Sequence, residues 1–181
     1  MKRQLFIWCL CTLVTLVGCM HVNAQKEKGI TFFSEGQLGW GFALGDESTS
    51  YLGVQAQVIG YRFNPKANIG IGYGIHAYDP LFQANSVYTH QILVSGWYRL
   101  KSTKGFTPFV LAKIGYGFTE SDYLNTSFTG LYFSPNIGYA YNLKDNGEAL
   151  GLSIGYDYQA IGKNNVSLNN SAFTLKFTCF Y

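Results

Sequence analysis

Leu150-Gly151-Leu152-Ser153-Ile154-Gly155-Tyr156-Asp157-Tyr158 alternates large apolar side chains with small or polar ones. A β-strand turns successive side chains to opposite faces, so this stretch reads as a strand with one greasy face and one crowded or polar face. Its central Ile-Gly-Tyr recurs at Ile59 to Tyr61, Ile71 to Tyr73, Ile114 to Tyr116 and Ile137 to Tyr139. The same alternation sets Ile69, Ile71, Tyr73 and Ile75 against Gly70, Gly72, Gly74 and His76, and Leu52, Val54, Ala56 and Val58 against Gly53, Gln55 and Gln57.

Turn signals divide the chain into eight such segments, near 30–44, 51–63, 69–78, 86–101, 107–119, 129–143, 149–161 and 171–181. Most provide the roughly 9 to 11 residues that a tilted strand needs to cross a bilayer. Short connections, Asn64-Pro65-Lys66, Ser102 to Gly105 and Lys144 to Gly147, alternate with longer or more acidic ones, Asp46 to Ser50, Asp79 to Asn85, Glu120 to Phe128 and Gly162 to Asn170. That rhythm predicts periplasmic turns on one rim and extracellular loops on the other. The predicted fold is all-β, an eight-stranded antiparallel up-and-down transmembrane barrel.

A soluble barrel also has one apolar face, so the polar face decides between the two. Here it carries mainly Gly, Ser and Gln with few charges, which suits a crowded bore and not a watered exterior. Charged residues are 13% of the chain against about 25% in an ordinary soluble domain. Trp40, Trp97, Tyr98, Tyr141 and Tyr158 are placed as aromatic girdles at the two interfaces.

Lys2 and Arg3, the apolar run Leu5 to Val17 and Val22-Asn23-Ala24 predict a cleavable secretory signal over 1–24, followed by a single barrel domain over 25–181. Leu16-Val17-Gly18-Cys19 offers the alternative of a lipobox with acylation at Cys19. Cleavage after Ala24 removes Lys2 and Arg3 from the thirteen basic residues, leaving eleven against ten acidic ones, and leaves Cys179 as the lone cysteine. A basic patch for nucleic acid and an intramolecular disulfide are therefore not expected.

With these features the chain resembles the small outer-membrane barrels of the OmpA and OmpX type, most closely the short single-barrel versions of Gram-negative Bacteroidota. The resemblance implies a cell-envelope protein among outer-membrane lipids and lipopolysaccharide, a monomer inserted by the barrel-assembly machinery. Phe173, Leu175, Phe177, Cys179 and Tyr181 match that family's terminal assembly signal. The last residue is Tyr where Phe is commoner, and no peptidoglycan-binding domain follows.

Inside the bore, Lys176 is predicted to lie between Glu35 and Asp157, since closure makes the first and last strands neighbours. A buried unpaired charge costs several kcal/mol, so pairing is required. Arg99, Lys113, Gln55, Gln57, Gln91 and Asn136 are predicted to complete the network. His76, Asp79, Ser86 and His90 supply the residue types of a hydrolase, but their spacing matches no motif. No catalytic, metal or cofactor site is predicted. The leading expectation is a non-enzymatic barrel with a structural or surface-interaction role through its loops, for an unknown ligand. A narrow solute channel and a lipid A-modifying enzyme are the alternatives.

Overall fold

The structure is a computed structural model, and it describes residues 28–43, 48–78, 87–100, 105–121, 126–143, 148–163 and 166–180. Eight strands follow one another: β1 (Gly29–Ala43), β2 (Ser48–Asn64), β3 (Ala67–Tyr78), β4 (Val87–Arg99), β5 (Phe106–Ser121), β6 (Thr126–Asn142), β7 (Ala149–Lys163) and β8 (Val166–Phe180). Each pairs antiparallel with its chain neighbour, and β1 pairs with β8 to close the barrel. Closure leaves no sheet edge, which is what lets a sheet sit in hydrocarbon with its backbone polar groups satisfied.

Gly29, Phe180 and the three short connections share one rim, and the other four connections share the opposite rim. In the β2–β3 turn the Lys66 N–H donates to Asn64 Oδ1 at 2.8 Å, an Asx-type closure that explains why Asn precedes Pro there. Gly105, at the start of β5, has φ +92°, a left-handed value that a side chain would oppose.

The loop-side strands run further than their composition suggests. Gly162 to Asn170, predicted as an outer loop, is largely ladder: Gln159 pairs with Asn170, Gly162 with Ser167 and Lys163 with Val166. Likewise Ser121 pairs with Thr126, and β2 begins at Ser48. Antiparallel pairing satisfies backbone groups whatever the side chains, so Asn- and Ser-rich sequence continues the strand beyond the apolar belt. The signal, the alternative lipidation at Cys19, Asp46, Glu47, Asp79, Ser86, Asp122 and Tyr181 lie outside the described residues.

The outside of the cylinder is apolar. Ile59, Tyr139, Ile154 and Phe173 are each more than 60% exposed, and the residues on either side of Tyr139 and of Phe173 are buried. Inward-facing glycines make room for long side chains on adjacent strands. A Cβ on Gly74 would stand 2.7 Å from Gln55 Cγ, and one on Gly151 would stand 2.9 Å from the Phe180 ring. Thus Ile and Tyr of the repeat meet the exterior while Gly admits the bore's polar or aromatic side chains.

One part of the sequence reading is corrected. The bore is small or polar only in its middle and upper part. At the rim of the termini Phe33, Trp97, Phe109, Leu111, Ala140, Ala149 and Phe180 pack as a buried cluster. Trp97 therefore belongs to the bore and not to an interfacial girdle, whereas Trp40, Tyr98 and Tyr141 are exposed on the outside as predicted. A register shift in the β1–β2 ladder between Thr31 and Phe33 accompanies the entry of Phe33, while Phe32 remains outside. Cys179 keeps the outward phase of its strand, between Ser34 and Leu150, yet is covered to 9% exposure and so is not a lipid-facing side chain like Phe177.

Candidate functional site in the bore

The buried side chains form two zones. In the middle, Glu35 on β1 receives the Lys113 ammonium from β5, across the barrel, as a direct ion pair. Lys113 also donates to Gln55 Oε1 at 2.5 Å, and the Thr178 hydroxyl donates to Glu35 Oε2 at 3.0 Å. Lys176 lies 2.6 Å from Asp157 Oδ1 and 4.0 Å from Glu35 Oε1, and donates to Ser134 Oγ at 2.7 Å. Asp157 Oδ2 accepts from Tyr51 at 2.5 Å and from Tyr132 at 2.7 Å. Two ammonium groups are thus matched by two carboxylates, each carrying further hydrogen bonds, the arrangement that a charge needs out of water.

Above this lies His76, buried beside Gln37, Gln55 and Gln91. Its Nε2 is 3.0 Å from Gln55 Nε2 and its Nδ1 is 3.1 Å from Gln91 Nε2, while Gln37 makes a further contact with Nε2. Tyr51 stacks on the imidazole at a centroid distance of 4.8 Å, and Tyr132 meets it edge-on at 5.5 Å. Gln91 reaches on to Gln159 Oε1 at 3.2 Å, so side chains from β2, β3, β4 and β7 meet across the bore.

The second zone is the aromatic cluster. Phe180 packs edge-on to Trp97 at 5.5 Å and to Phe109 at 5.2 Å. The Arg99 guanidinium stands 4.9 Å from the Trp97 ring centre and 5.3 Å from that of Phe180, and Arg62 stands 5.7 Å from Trp97. These are cation–π distances. Arg99 also donates to Asn142 Oδ1 at 3.1 Å.

The predicted set thus separates. Glu35, Gln55, Gln91, Lys113, Asp157 and Lys176 form one connected group. Asn136 joins it at one remove, through the Ser134 hydroxyl that also accepts from Lys176, and donates to the Leu111 carbonyl as well, whereas Gln57 bonds instead to Thr31 and Ser95. Arg99 is displaced to the aromatic rim, because its place at the end of β4 puts it below the ion pairs. The sequence reading missed His76, Tyr51 and Tyr132 as members of the group. Alternation in phase with Gly70, Gly72 and Gly74 already assigned His76 to the inner face.

His76 and His90 do not meet. The β3–β4 register pairs His76 with Thr89 and Ile75 with His90, so the two imidazoles face opposite sides of the wall. His90 Nδ1 instead lies 2.5 Å from the Tyr73 hydroxyl. Among the described residues no group of His, Cys, Asp and Glu is arranged to hold a metal ion.

A closed antiparallel barrel with an apolar outside and a polar, side-chain-filled bore is a transmembrane β-barrel, and this architecture places the protein in the outer membrane. No family model matches the chain, and no curated protein matches it. Solved structures share its fold. Neisserial surface protein A (NspA) superposes with a TM-score of 0.59 at 16% identity, over 85% of this chain and 99% of that one. The outer membrane enzyme PagL superposes with a TM-score of 0.52 at 11% identity, over 80% of this chain and 97% of that one. At such identities the likeness is one of fold, and a fold hosts many functions.

Proposed function

We propose that this is a non-enzymatic outer-membrane barrel whose sealed cylinder stabilises the membrane or carries its connecting loops to a partner at the rim opposite the termini. The observation that carries this reading is the filled bore. Ion pairs bridge β1 to β5 and β7 to β8, a glutamine-histidine layer lies above them, and an aromatic cluster closes the terminal rim. Eight strands leave an interior just wide enough for side chains to fill, so such a bore holds no continuous water column.

Within its class the chain is read as an OmpA- or OmpX-like barrel of the single-barrel, Bacteroidota-like kind, on the strength of its glycine-tyrosine strands. Its lipid contacts are with outer-membrane lipids and lipopolysaccharide, and it acts as a monomer. Phe173, Leu175, Phe177, Cys179 and Tyr181 are the segment proposed to be read by the assembly machinery. PagL has the same fold and is an enzyme, so the fold itself does not decide the matter. Support for a non-enzyme comes from the separation of His76 and His90 onto opposite faces.

In planar lipid bilayers the purified barrel is expected to give no sustained stepwise current. Reproducible unitary steps would replace this reading with a narrow channel.

A further inference from the structure

The apolar wall is not uniform. Gly96 on β4, Ala112 on β5 and Pro135 on β6 are directly paired in register and form a row of small residues on the outer face. The row two residues nearer the terminal rim is large: Tyr98, Val110, Ile137 and Ile154. The row two residues toward the loops is large as well: Val94, Ile114 and Phe133. The flanking rows stand about 13 Å apart along the strands, from ~3.3 Å per residue. The small row is therefore the floor of a trough one side chain deep.

The trough belongs to a groove of about 1050 Å³, lined almost wholly by apolar atoms, which crosses the wall from Ala67 at the terminal rim toward Trp40 near the loop rim. That volume is at the upper end of the ~300–1,000 Å³ usual for small-molecule sites. Its floor lies low on β4, three residues from the strand end, and Tyr156 and Phe173 line it on β7 and β8. At the low mouth Lys66, exposed in the β2–β3 turn, stands next to Ala67, with the exposed Tyr98 paired to Ala67. The mouth thus offers a cation and a polar-tipped aromatic at headgroup height, and the groove beyond it offers hydrocarbon alone.

The geometry points to a fixed site for one phospholipid of the leaflet on the side of the termini, with one acyl chain lying in the trough over Gly96, Ala112 and Pro135 and its phosphate at Lys66. The exposed cation at the mouth matches an anionic headgroup, whereas the outer face of a second copy of the barrel is apolar beside it. Pro135 contributes to the form of the floor. It has no N–H, and the β6–β7 ladder is unpaired at Ser134 and Pro135 while keeping the same register on either side.

Native mass spectrometry of the full mature barrel, mixed in detergent with palmitoyl-oleoyl phosphatidylglycerol, tests the site. The wild-type protein is expected to retain one lipid per barrel. Ala112→Phe, which fills the trough from the lipid side, is expected to lower retention at least tenfold. Ile59→Phe, on the outer face of β2 away from the groove, is expected to leave retention unchanged. Gly96→Leu provides a second filling variant, since a Cβ there meets only the Asn68 carbonyl oxygen at 3.4 Å and the strand accepts it. Lys66→Gln is expected to lower retention severalfold. Retention unaffected by both filling variants would overturn the site, as would a wild-type dimer that either filling variant abolishes. Retention unaffected by Lys66→Gln would contradict the placement of the phosphate.

Discussion

Glu35→Gln should destabilise the folded barrel by about 3–5 kcal/mol, the usual cost of removing one partner from a buried ion pair. The substitution keeps shape and leaves an oxygen to accept from Thr178, so little packing is lost. What it removes is the charge that holds Lys113, whose side chain is wholly buried and is otherwise held by the amide oxygen of Gln55. Lys176 gives no compensation, since it is a second cation near the same carboxylate and is already held by Asp157. Urea unfolding in lipid vesicles, followed by loss of the heat-resistant folded band, measures the effect. Replacing both partners, Glu35→Leu with Lys113→Met, should recover most of the loss, because paired charges are often exchangeable for apolar groups of similar volume. A double variant as unstable as the single one would show that the pair does more than neutralise itself.

Phe180→Ala should be comparably severe, about 3–5 kcal/mol, as for other buried aromatic truncations. Phe180 touches Phe33, Trp97 and Phe109, and its ring lies beside the Arg99 guanidinium. The residue thus ties the last strand to β1, β4 and β5 through the bore, where the strand ladder alone ties it only to β1 and β7. The same unfolding measurement checks it. Phe177→Ala, on the exposed outer face of the same strand, should cost distinctly less, because lipid replaces the contacts that are lost.

The barrel was legible because its evidence is periodic. The Ile-Gly-Tyr triplets and the alternation of short and long connections each constrain face and topology, and strand order follows once closure is assumed. The Lys176 cluster was legible for the same reason, since Glu35, Asp157 and Lys176 share the inner phase of neighbouring strands. Lys113 comes from β5 on the far wall, and pairing across a bore leaves no trace in sequence spacing. The aromatic closure was overlooked although a signal existed. Phe32-Phe33 and Trp97-Tyr98 are adjacent aromatics, and alternation must send one of each inward; both enter near the rim that also receives Phe180. The loop-side extensions of β7 and β8 had no such signal, because polar residues outside the bilayer read alike in strand and loop.

The central claim is that apolar side chains coat the cylinder while its bore is filled and shut off from lipid, and Trp40 and Trp97 report on it separately. Trp40 is 60% exposed on the wall, and Trp97 is 4% exposed inside. Single-tryptophan proteins made with Trp8→Phe and either Trp97→Phe or Trp40→Phe, reconstituted in phosphatidylcholine with brominated acyl chains, should show strong fluorescence quenching of Trp40 and little of Trp97. Equal quenching of both, or quenching of Trp97 alone, would contradict the polarity on which the whole account stands.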